Sequence, residues 1–208
     1  MRVTKEHDER KNEILNTAEM LFRIKGYEKC TINDILKEVG IAKGTFYHYF
    51  NSKEEVLDAV VLRYADIVKS NAEKILSIEN ISSVEKLMRA FMAMQITSQI
   101  DKDLIDNMHK ADNALLHQKT LNLLVTTMAP ILVKVIEEGI ENKTWSCKYP
   151  LEYMQIFLVA SLSLTDEGIF ELDSNSQMKV MVAMISMLEK MLNAPEDLFM
   201  NLFIENWD

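Results

Sequence analysis

The chain has 208 residues, of which 32 are acidic and 23 basic, so its formal net charge is −9 at pH 7. Hydrophobic residues make up 48% of the chain, with only 5 glycines and 3 prolines. This balance excludes disordered, collagen-like and low-complexity proteins, and a chain of this length buries enough apolar surface to fold without a disulfide framework.

The acidic charge is unevenly distributed along the chain. Residues 1–55 carry 10 basic and 10 acidic side chains, while the rest of the chain carries 13 and 22. Within the neutral part, the segment 37–53 holds three lysines, Lys37, Lys43 and Lys53, and one acid, Glu38. An acidic protein does not coat nucleic acid, so any such contact is expected at this locally basic strip.

Cysteine usage and hydropathy indicate a cytoplasmic protein. Cys30 and Cys147 form no C-x-x-C pair, which favours a reducing compartment. The N-terminus lacks the apolar segment of a signal peptide, and apolar runs such as 156–160 are far shorter than the roughly 20 residues that span a membrane. We therefore expect a soluble, cytoplasmic protein with no membrane contact.

In chain order, the apolar spacing first predicts a helix over about residues 8–25, which Gly26 ends. Thr31 then opens a short helix that ends at Gly40, and a third short helix follows over about 43–49. Ser52 and Glu55 form a capping box for a fourth helix.

The C-terminal part also reads as helical. Ser82 opens one helix, an apolar helical pattern runs over about 121–140, and another covers 151–164. Ser174 opens a further helix, and Pro195 is placed as a first-turn proline. The fold class is therefore all-α: an N-terminal three-helix domain over 1–52, followed by a larger antiparallel helical bundle domain over 53–208.

The second and third helices form a helix-turn-helix. Two short helices are joined by a tight glycine turn, and the second begins Lys43-Gly44-Thr45. Phe46 and Phe50 lie one turn apart, so they pin one face to the core while the polar side chains face outward. Such a helix can read a DNA duplex.

The runs TINDI (31–35), VGIAKGTFYHYF (39–50) and SKEEVL (52–57) resemble the DNA-binding domain of TetR-family transcriptional regulators. The resemblance covers about residues 8–60. It implies a homodimer on a palindromic double-stranded DNA operator, with the third helix of each subunit in successive major grooves.

The resemblance also implies roles by position. The groove-facing or base-reading residues would be Lys43, Thr45 and His48. The residues that contact the phosphate backbone would be Thr31, Gly44, Tyr47, Tyr49 and Lys53. For Tyr47 and Tyr49 the alternative is that they only cover the three-helix core.

Polar residues within apolar helix faces are candidates for a ligand site in the larger domain. Gln95 lies on the face that carries Met88 and Phe91, and Gln155 lies among apolar residues of the helix over 151–164. A buried amide needs a partner, which a small effector could supply. The alternative is a bond to protein or to buried water.

The last two long helices are candidates for the dimer interface, following the layout of the family. Their apolar stripe includes methionines at helical spacing. The candidate interface residues are Leu158, Leu162, Met181, Met184, Ile185 and Leu188. The alternative is that this stripe faces only the core of its own chain.

We expect a transcriptional regulator, and more specifically a repressor that a small, largely apolar effector releases. A DNA-binding adaptor controlled by a partner protein is one alternative, and a metal-dependent hydrolase using His109, Asp112 and His117 is another. The two histidines are eight positions apart, about 12 Å along a straight helix, which strains a zinc site. No catalytic motif occurs, so we predict no enzyme activity, metal or cofactor.

Overall fold

This computed structural model describes residues 2–100, 111–166 and 169–205, and the regular structure of these residues is helical with no strand. The helices are α1 (Arg2–Lys25), α2 (Ile32–Val39), α3 (Lys43–Tyr49), α4 (Lys53–Leu76), α5 (Ser83–Ile100), α6 (Ala114–Glu141), α7 (Pro150–Leu164), α8 (Ser174–Met191) and α9 (Leu198–Glu205). A short 3-10 turn, Ala111–Asn113, directly precedes α6. The predicted all-α class is confirmed, with a helix-turn-helix unit followed by a helical domain.

The chain divides into two compact units. The N-terminal unit holds residues up to Ala65 together with 111–120, and the C-terminal unit holds 66–100 and the described residues from Leu121 onward. α4 and α6 therefore contribute residues to both units. The domain boundary predicted after residue 52 stays a prediction.

The core of the N-terminal unit comes from one face of each of its helices. α1 buries a stripe at helical spacing, α2 buries Ile35, and α3 buries Phe46 and Phe50. α4 adds Val56, Leu57, Val60 and Val61. Burying four such helix faces stabilises the unit by roughly 25 cal/mol for each Å² of apolar surface removed from water.

Local signals set the ends of the first helices as predicted. Gly26 has a φ of 84° and Gly40 a φ of 75°, the left-handed conformation that ends α1 and α2. Thr31 caps α2 through a full capping box, because its hydroxyl accepts from the Asp34 N–H while the Asp34 carboxylate accepts from the Thr31 N–H.

Four helix starts differ from the predictions. α1 begins at Arg2 and α6 already at Ala114, well before residues 8 and 121. α8 is capped by Asp173, whose carboxylate accepts from the Ser176 N–H at 2.8 Å, so the predicted cap was one residue late. α9 begins three residues after Pro195, which therefore precedes its first turn.

The capping box at α4 is only half formed. Ser52 Oγ accepts from the Glu55 N–H at 3.0 Å, as predicted. The Glu55 carboxylate accepts from the Asn51 N–H at 2.6 Å and not from Ser52. Asn51 and Ser52, which precede α4, thus both form a hydrogen bond with Glu55 in its first turn.

The C-terminal unit has its own apolar core. Fully buried side chains include Leu87, Leu132, Ile136, Met154 and Phe199, from α5, α6, α7 and α9. The Glu189 carboxylate of α8 accepts from the Phe199 and Met200 N–H groups, which caps α9. Across the described part of the chain, no helix is both long enough and apolar enough to cross a bilayer.

Candidate nucleic-acid interface

The position of α3 is fixed by its two phenylalanines. Phe46 is fully buried and Phe50 is 2% exposed, and their ring centroids lie 6.0 Å apart. They are four residues apart, so both point to the same side of the helix. The opposite side of α3 is thereby presented to solvent.

The residues of α3 predicted to meet DNA are exposed or half-buried. Lys43, Gly44, Tyr47 and His48 are exposed, while Thr45 and Tyr49 are half-buried. The Lys43 ammonium lies 5.8 Å from the centroid of the Tyr47 ring. Six of the eight predicted DNA contacts therefore share one short helix.

Gly44 has open space around its Cα. A Cβ built there would meet no protein atom within 4 Å. Its lack of a side chain is therefore not explained by packing within the chain. A close approach of another molecule to the backbone would explain it.

The ring of His7, in α1, lies beside the rings of Tyr49 and His48 in α3. The His7 ring centroid is 4.6 Å from that of Tyr49 and 5.6 Å from that of His48. His7 is not among the predicted residues, because the predicted first helix begins after it. A helix that continues the 3.6-residue repeat toward the N-terminus would have been the only signal for it.

Thr31 lies apart from α3, at the start of α2, and its side chain is already bonded. Its hydroxyl donates to the Asp34 carboxylate at 2.7 Å and accepts from the Asp34 N–H at 3.2 Å. Lys25 donates to the same carboxylate at 2.6 Å. The hydrogen bond from Lys25, together with those from Thr31, holds the pKa of the Asp34 carboxyl well below its usual range.

Lys53 begins α4 and points back to the loop between α1 and α2. Its ammonium donates to the carbonyl of Tyr27 at 2.8 Å, to that of Cys30 at 2.9 Å and to that of Glu28 at 3.4 Å. It also lies 4.1 Å from the centroid of the Tyr27 ring. All three ammonium hydrogens thus have protein partners.

Among the described residues of the C-terminal unit there is a groove that Met88, Phe91 and Gln155 do not line. Met88 is 7% exposed, and the Phe91 ring packs 4.8 Å from that of Phe157. Gln155 is half-buried, and the side chain of Gln95 lies outside the described residues. The groove, of about 610 Å³ and largely open to solvent, is lined by Ile140, Lys143, Thr144, Trp145, Ser146, Asn193, Ala194 and Pro195.

The predicted dimer residues mostly belong to the core of their own chain. Four of the six are at most 7% exposed in the single chain, namely Leu158, Met184, Ile185 and Leu188. Leu162 and Met181 are half-buried. The same two helices expose Ile156 and Val159 at 52% each and Val182 at 39%, and these side chains have the surface that a partner needs.

Of the three residues considered for the alternative metal site, the structure describes Asp112 and His117. Asp112 pairs with the Lys29 ammonium, and His109 lies outside the described residues. Over residues 2–100, 111–166 and 169–205, no group of three or more histidine, cysteine or acidic side chains is arranged to hold a metal ion.

Two family models match the chain. The model described as "Bacterial regulatory proteins, tetR family" matches residues 14–60. The model described as "Tetracyclin repressor-like, C-terminal domain" matches residues 95–187. Together they extend over both the helix-turn-helix unit and most of the helical body.

Curated relatives resemble the chain mainly at its N-terminus. An uncharacterized HTH-type transcriptional regulator, YfiR of Bacillus subtilis, is 43% identical over 61 residues, which are 29% of this chain and 30% of that one. The HTH-type transcriptional repressor KstR2 of Mycolicibacterium smegmatis is 34% identical over 40% of each chain. KstR2 of Rhodococcus jostii is 26% identical over 72% of this chain and 74% of that one. The chain thus matches less than half the length of the first two relatives.

Solved structures share the fold over nearly the whole chain. A TetR-family regulator of Syntrophomonas wolfei, described as putative, superposes with a TM-score of 0.65 at 19% identity, over 92% of this chain and 99% of that one. The reduced form of Escherichia coli NemR superposes with a TM-score of 0.57 at 20% identity, over 89% and 98%.

Proposed function

The chain belongs to the TetR family of bacterial transcriptional regulators, and from this premise we propose that it is a repressor that binds a palindromic operator as a homodimer. We further propose that a small, largely apolar effector releases it from DNA. The name of the KstR2 relatives, which are transcriptional repressors, supports repression.

One observation carries the DNA-binding proposal: α3 packs on the core through its phenylalanines and exposes polar side chains to solvent. Phe46 and Phe50 fix its position, and Lys43, Tyr47 and His48 stand exposed on its free side. The major groove of B-DNA, about 12 Å wide, admits a single α-helix. A short helix with this division between its faces fits that groove.

The proposed roles of the DNA-facing residues follow from their chemistry. Lys43, Thr45 and His48 offer hydrogen bonds to base edges. Gly44 admits the DNA backbone, and the hydroxyls of Tyr47 and Tyr49 can donate to phosphate. Thr31 and Lys53 keep their protein partners in this proposal, so they act by positioning α2 and the α1–α2 loop.

Dimerisation would use the exposed faces of α7 and α8. Ile156, Val159 and Val182 are exposed apolar residues on these two helices, and homodimer interfaces bury apolar side chains of this kind. Paired with their copies, they would form a four-helix interface. Two recognition helices held by such an interface could reach successive major grooves, about 34 Å apart.

The effector would act through the helical body. Binding would favour a conformation of the C-terminal unit in which the two α3 helices no longer match successive grooves. α4, which continues from one unit into the other, is the proposed connection. Effector and operator would then weaken each other's binding by the same factor.

The experiment that tests this function is selection of bound duplexes from a random DNA library at two salt concentrations, with sequencing of the bound fraction. We expect an inverted repeat with half-sites about one helical turn apart. Recovery of no motif would contradict the proposal. Recovery of direct repeats instead of inverted repeats would contradict a symmetric homodimer.

Two lysine variants sharpen the test on the selected operator. Lys43→Ala should reduce affinity and lower the slope of log K against log salt by about 0.9 if it neutralises one phosphate, or change base preference if it reads a base. Lys134→Ala removes an equally exposed cation from α6 and should change neither. If the two variants behave alike, the assignment of α3 as the reading helix is wrong.

A further inference from the structure

The loop between α1 and α2 is bonded to a segment far away in the sequence. The Tyr27 N–H donates to Asn113 Oδ1 at 2.6 Å, and the Asn113 amide donates to the Phe22 carbonyl at 3.2 Å. The Glu28 N–H donates to the Asp112 carbonyl at 2.9 Å. The short turn before α6 thus joins the end of α1 to the loop that leads into the helix-turn-helix.

Asn113 carries out this joining from a buried position. It is only 1% exposed, and Tyr27 is 6% exposed. A buried amide is costly unless its donor and acceptor are both bonded. Of the natural side chains at this length, only asparagine both accepts from the Tyr27 N–H and donates to the Phe22 carbonyl.

Gly26 and Asp112 lie too close together for any side chain at position 26. A Cβ at Gly26 would lie 2.5 Å from Cβ of Asp112, and Gly26 has a φ of 84°. Both the space and the conformation therefore require glycine here. The exposed pair between Lys29 and Asp112 adds little to stability, so the buried amide is the stronger tie.

The same loop is held on its other side by α4. The Lys53 ammonium donates to the carbonyls of Tyr27 and Cys30. Lys119, at the start of α6, donates to Glu54 at 2.8 Å and to Asp58 at 2.5 Å. The loop then ends at the cap of α2, the helix that packs on α3. Its position therefore sets where the helix-turn-helix stands relative to α1 and the start of α4.

We propose that Asn113 is a positioning residue for operator binding, which acts by holding the α1–α2 loop and not by touching DNA. The inference rests on the proposed DNA-binding function. It extends the DNA-binding machinery to a residue more than fifty positions beyond the helix-turn-helix. Because Asn113 immediately precedes α6, its hydrogen bonds connect the start of that helix to the loop.

The test compares operator affinity of the native chain and of Asn113→Ala, on the operator selected by the native chain and at a temperature where both are folded. We expect about tenfold weaker binding, with the same base preference and the same salt slope, because no phosphate contact is lost. Amide hydrogen exchange at Tyr27 and Glu28 should be faster in the variant.

Two controls separate positioning from general stability. Val60→Ala removes volume from the core of the same unit, where Val60 is 1% exposed, and should leave affinity unchanged while the chain is folded. Asn122→Ala makes the same chemical change at an exposed site on α6 and should also leave affinity unchanged. If Val60→Ala weakens binding as much as Asn113→Ala, the effect is one of stability and the proposal is overturned.

Other outcomes are equally decisive. Unchanged affinity in folded Asn113→Ala overturns the inference alone, whereas a native chain that selects no operator overturns the proposed function as well. A lowered salt slope would mean that Asn113 acts through phosphate. If Asn113→Ala does not fold, Asn113→Ser keeps a neutral hydroxyl that can make one of the two hydrogen bonds, and about threefold weaker binding is expected from it under the same criteria.

Discussion

The two units differ in how far they expose the residues that the sequence predicts to be functional. In the N-terminal unit, α3 exposes the polar residues Lys43 and His48 and buries Phe46. In the C-terminal unit, the candidates Leu158 and Leu188 are buried in the core of their own chain. A DNA-reading face differs in chemistry from a core, whereas a dimer face or an effector site shares its apolar chemistry. An exposed polar face can therefore be predicted from sequence more readily than an exposed apolar one.

The largest expected effect separates the two faces of α3. Phe46→Ala should destabilise the N-terminal unit by about 3–5 kcal/mol, because it removes a fully buried ring. Its neighbour Tyr47 is 44% exposed, so Tyr47→Ala should cost no more than about 1 kcal/mol while it weakens operator binding. Urea denaturation followed by circular dichroism gives both stabilities. Equal losses in the two variants would mean that α3 has no free face.

The second prediction makes the same substitution in each unit. Gly139→Ala should destabilise the C-terminal unit by about 1–3 kcal/mol or more, because its Cβ would lie 2.1 Å from the Trp145 ring. Gly44→Ala should stabilise α3 by up to about 1 kcal/mol, since alanine favours helix and no atom obstructs the Cβ. Nevertheless, Gly44→Ala should weaken operator binding about tenfold or more. A Gly44→Ala chain that binds DNA normally would contradict a close approach of the DNA backbone.

The third prediction concerns the exposed apolar face of the C-terminal unit. Val159→Glu should weaken the dimer about tenfold, which corresponds to about 1.4 kcal/mol, because the valine is 52% exposed on α7. Ile204→Glu makes the same change on α9, at a residue that is 55% exposed, and should leave the dimer intact. Sedimentation over a range of concentrations measures both. Dissociation by Ile204→Glu alone would move the interface to α9.

Sequence predicts most of what is local in this chain. The caps at Thr31 and Gly40 follow from residues within one turn of each other, and the buried face of α3 follows from the spacing of Phe46 and Phe50. The contacts of Asn113 do not follow in this way, because they join residues 86 and 91 positions apart. No local pattern marks an asparagine whose partners are backbone groups.

Apolar faces were harder to assign for a different reason. α7 is apolar on most sides, so spacing alone does not tell Leu158, which is buried, from Val159, which is exposed. Lys53 presents a related difficulty. A lysine at the start of a helix can neutralise a phosphate or bond to carbonyls of its own chain, and only the position of the α1–α2 loop decides that it donates to Tyr27 and Cys30.

The smallest expected effect compares the acidic residues that hold the starts of α2 and α8. Asp34 accepts from the Lys25 ammonium and from the hydroxyl and N–H of Thr31, whereas Asp173 accepts from the Ser176 N–H. These bonds lower the pKa of each carboxyl. A carboxyl whose folded pKa is lowered stabilises the protein above its unfolded pKa of about 4, and this contribution is lost as the pH falls through the folded value. The melting temperatures of the native chain and of Asp34→Asn should therefore differ most at pH 5–7, begin to converge below about pH 4, and meet only well below that pH.

Asp173→Asn should show a weaker form of the same behaviour, because asparagine also caps helices and Asp173 lacks a partner like Lys25 among the groups that lower its pKa. The two variants should differ more clearly in DNA binding. Asp34 holds the start of α2, against which α3 packs, so Asp34→Asn should weaken operator binding at pH 7. Asp173 lies in the other unit, so its substitution should not. If both variants weaken operator binding equally, then the start of α8 also contributes to DNA recognition, and the division of labour between the two units is incomplete.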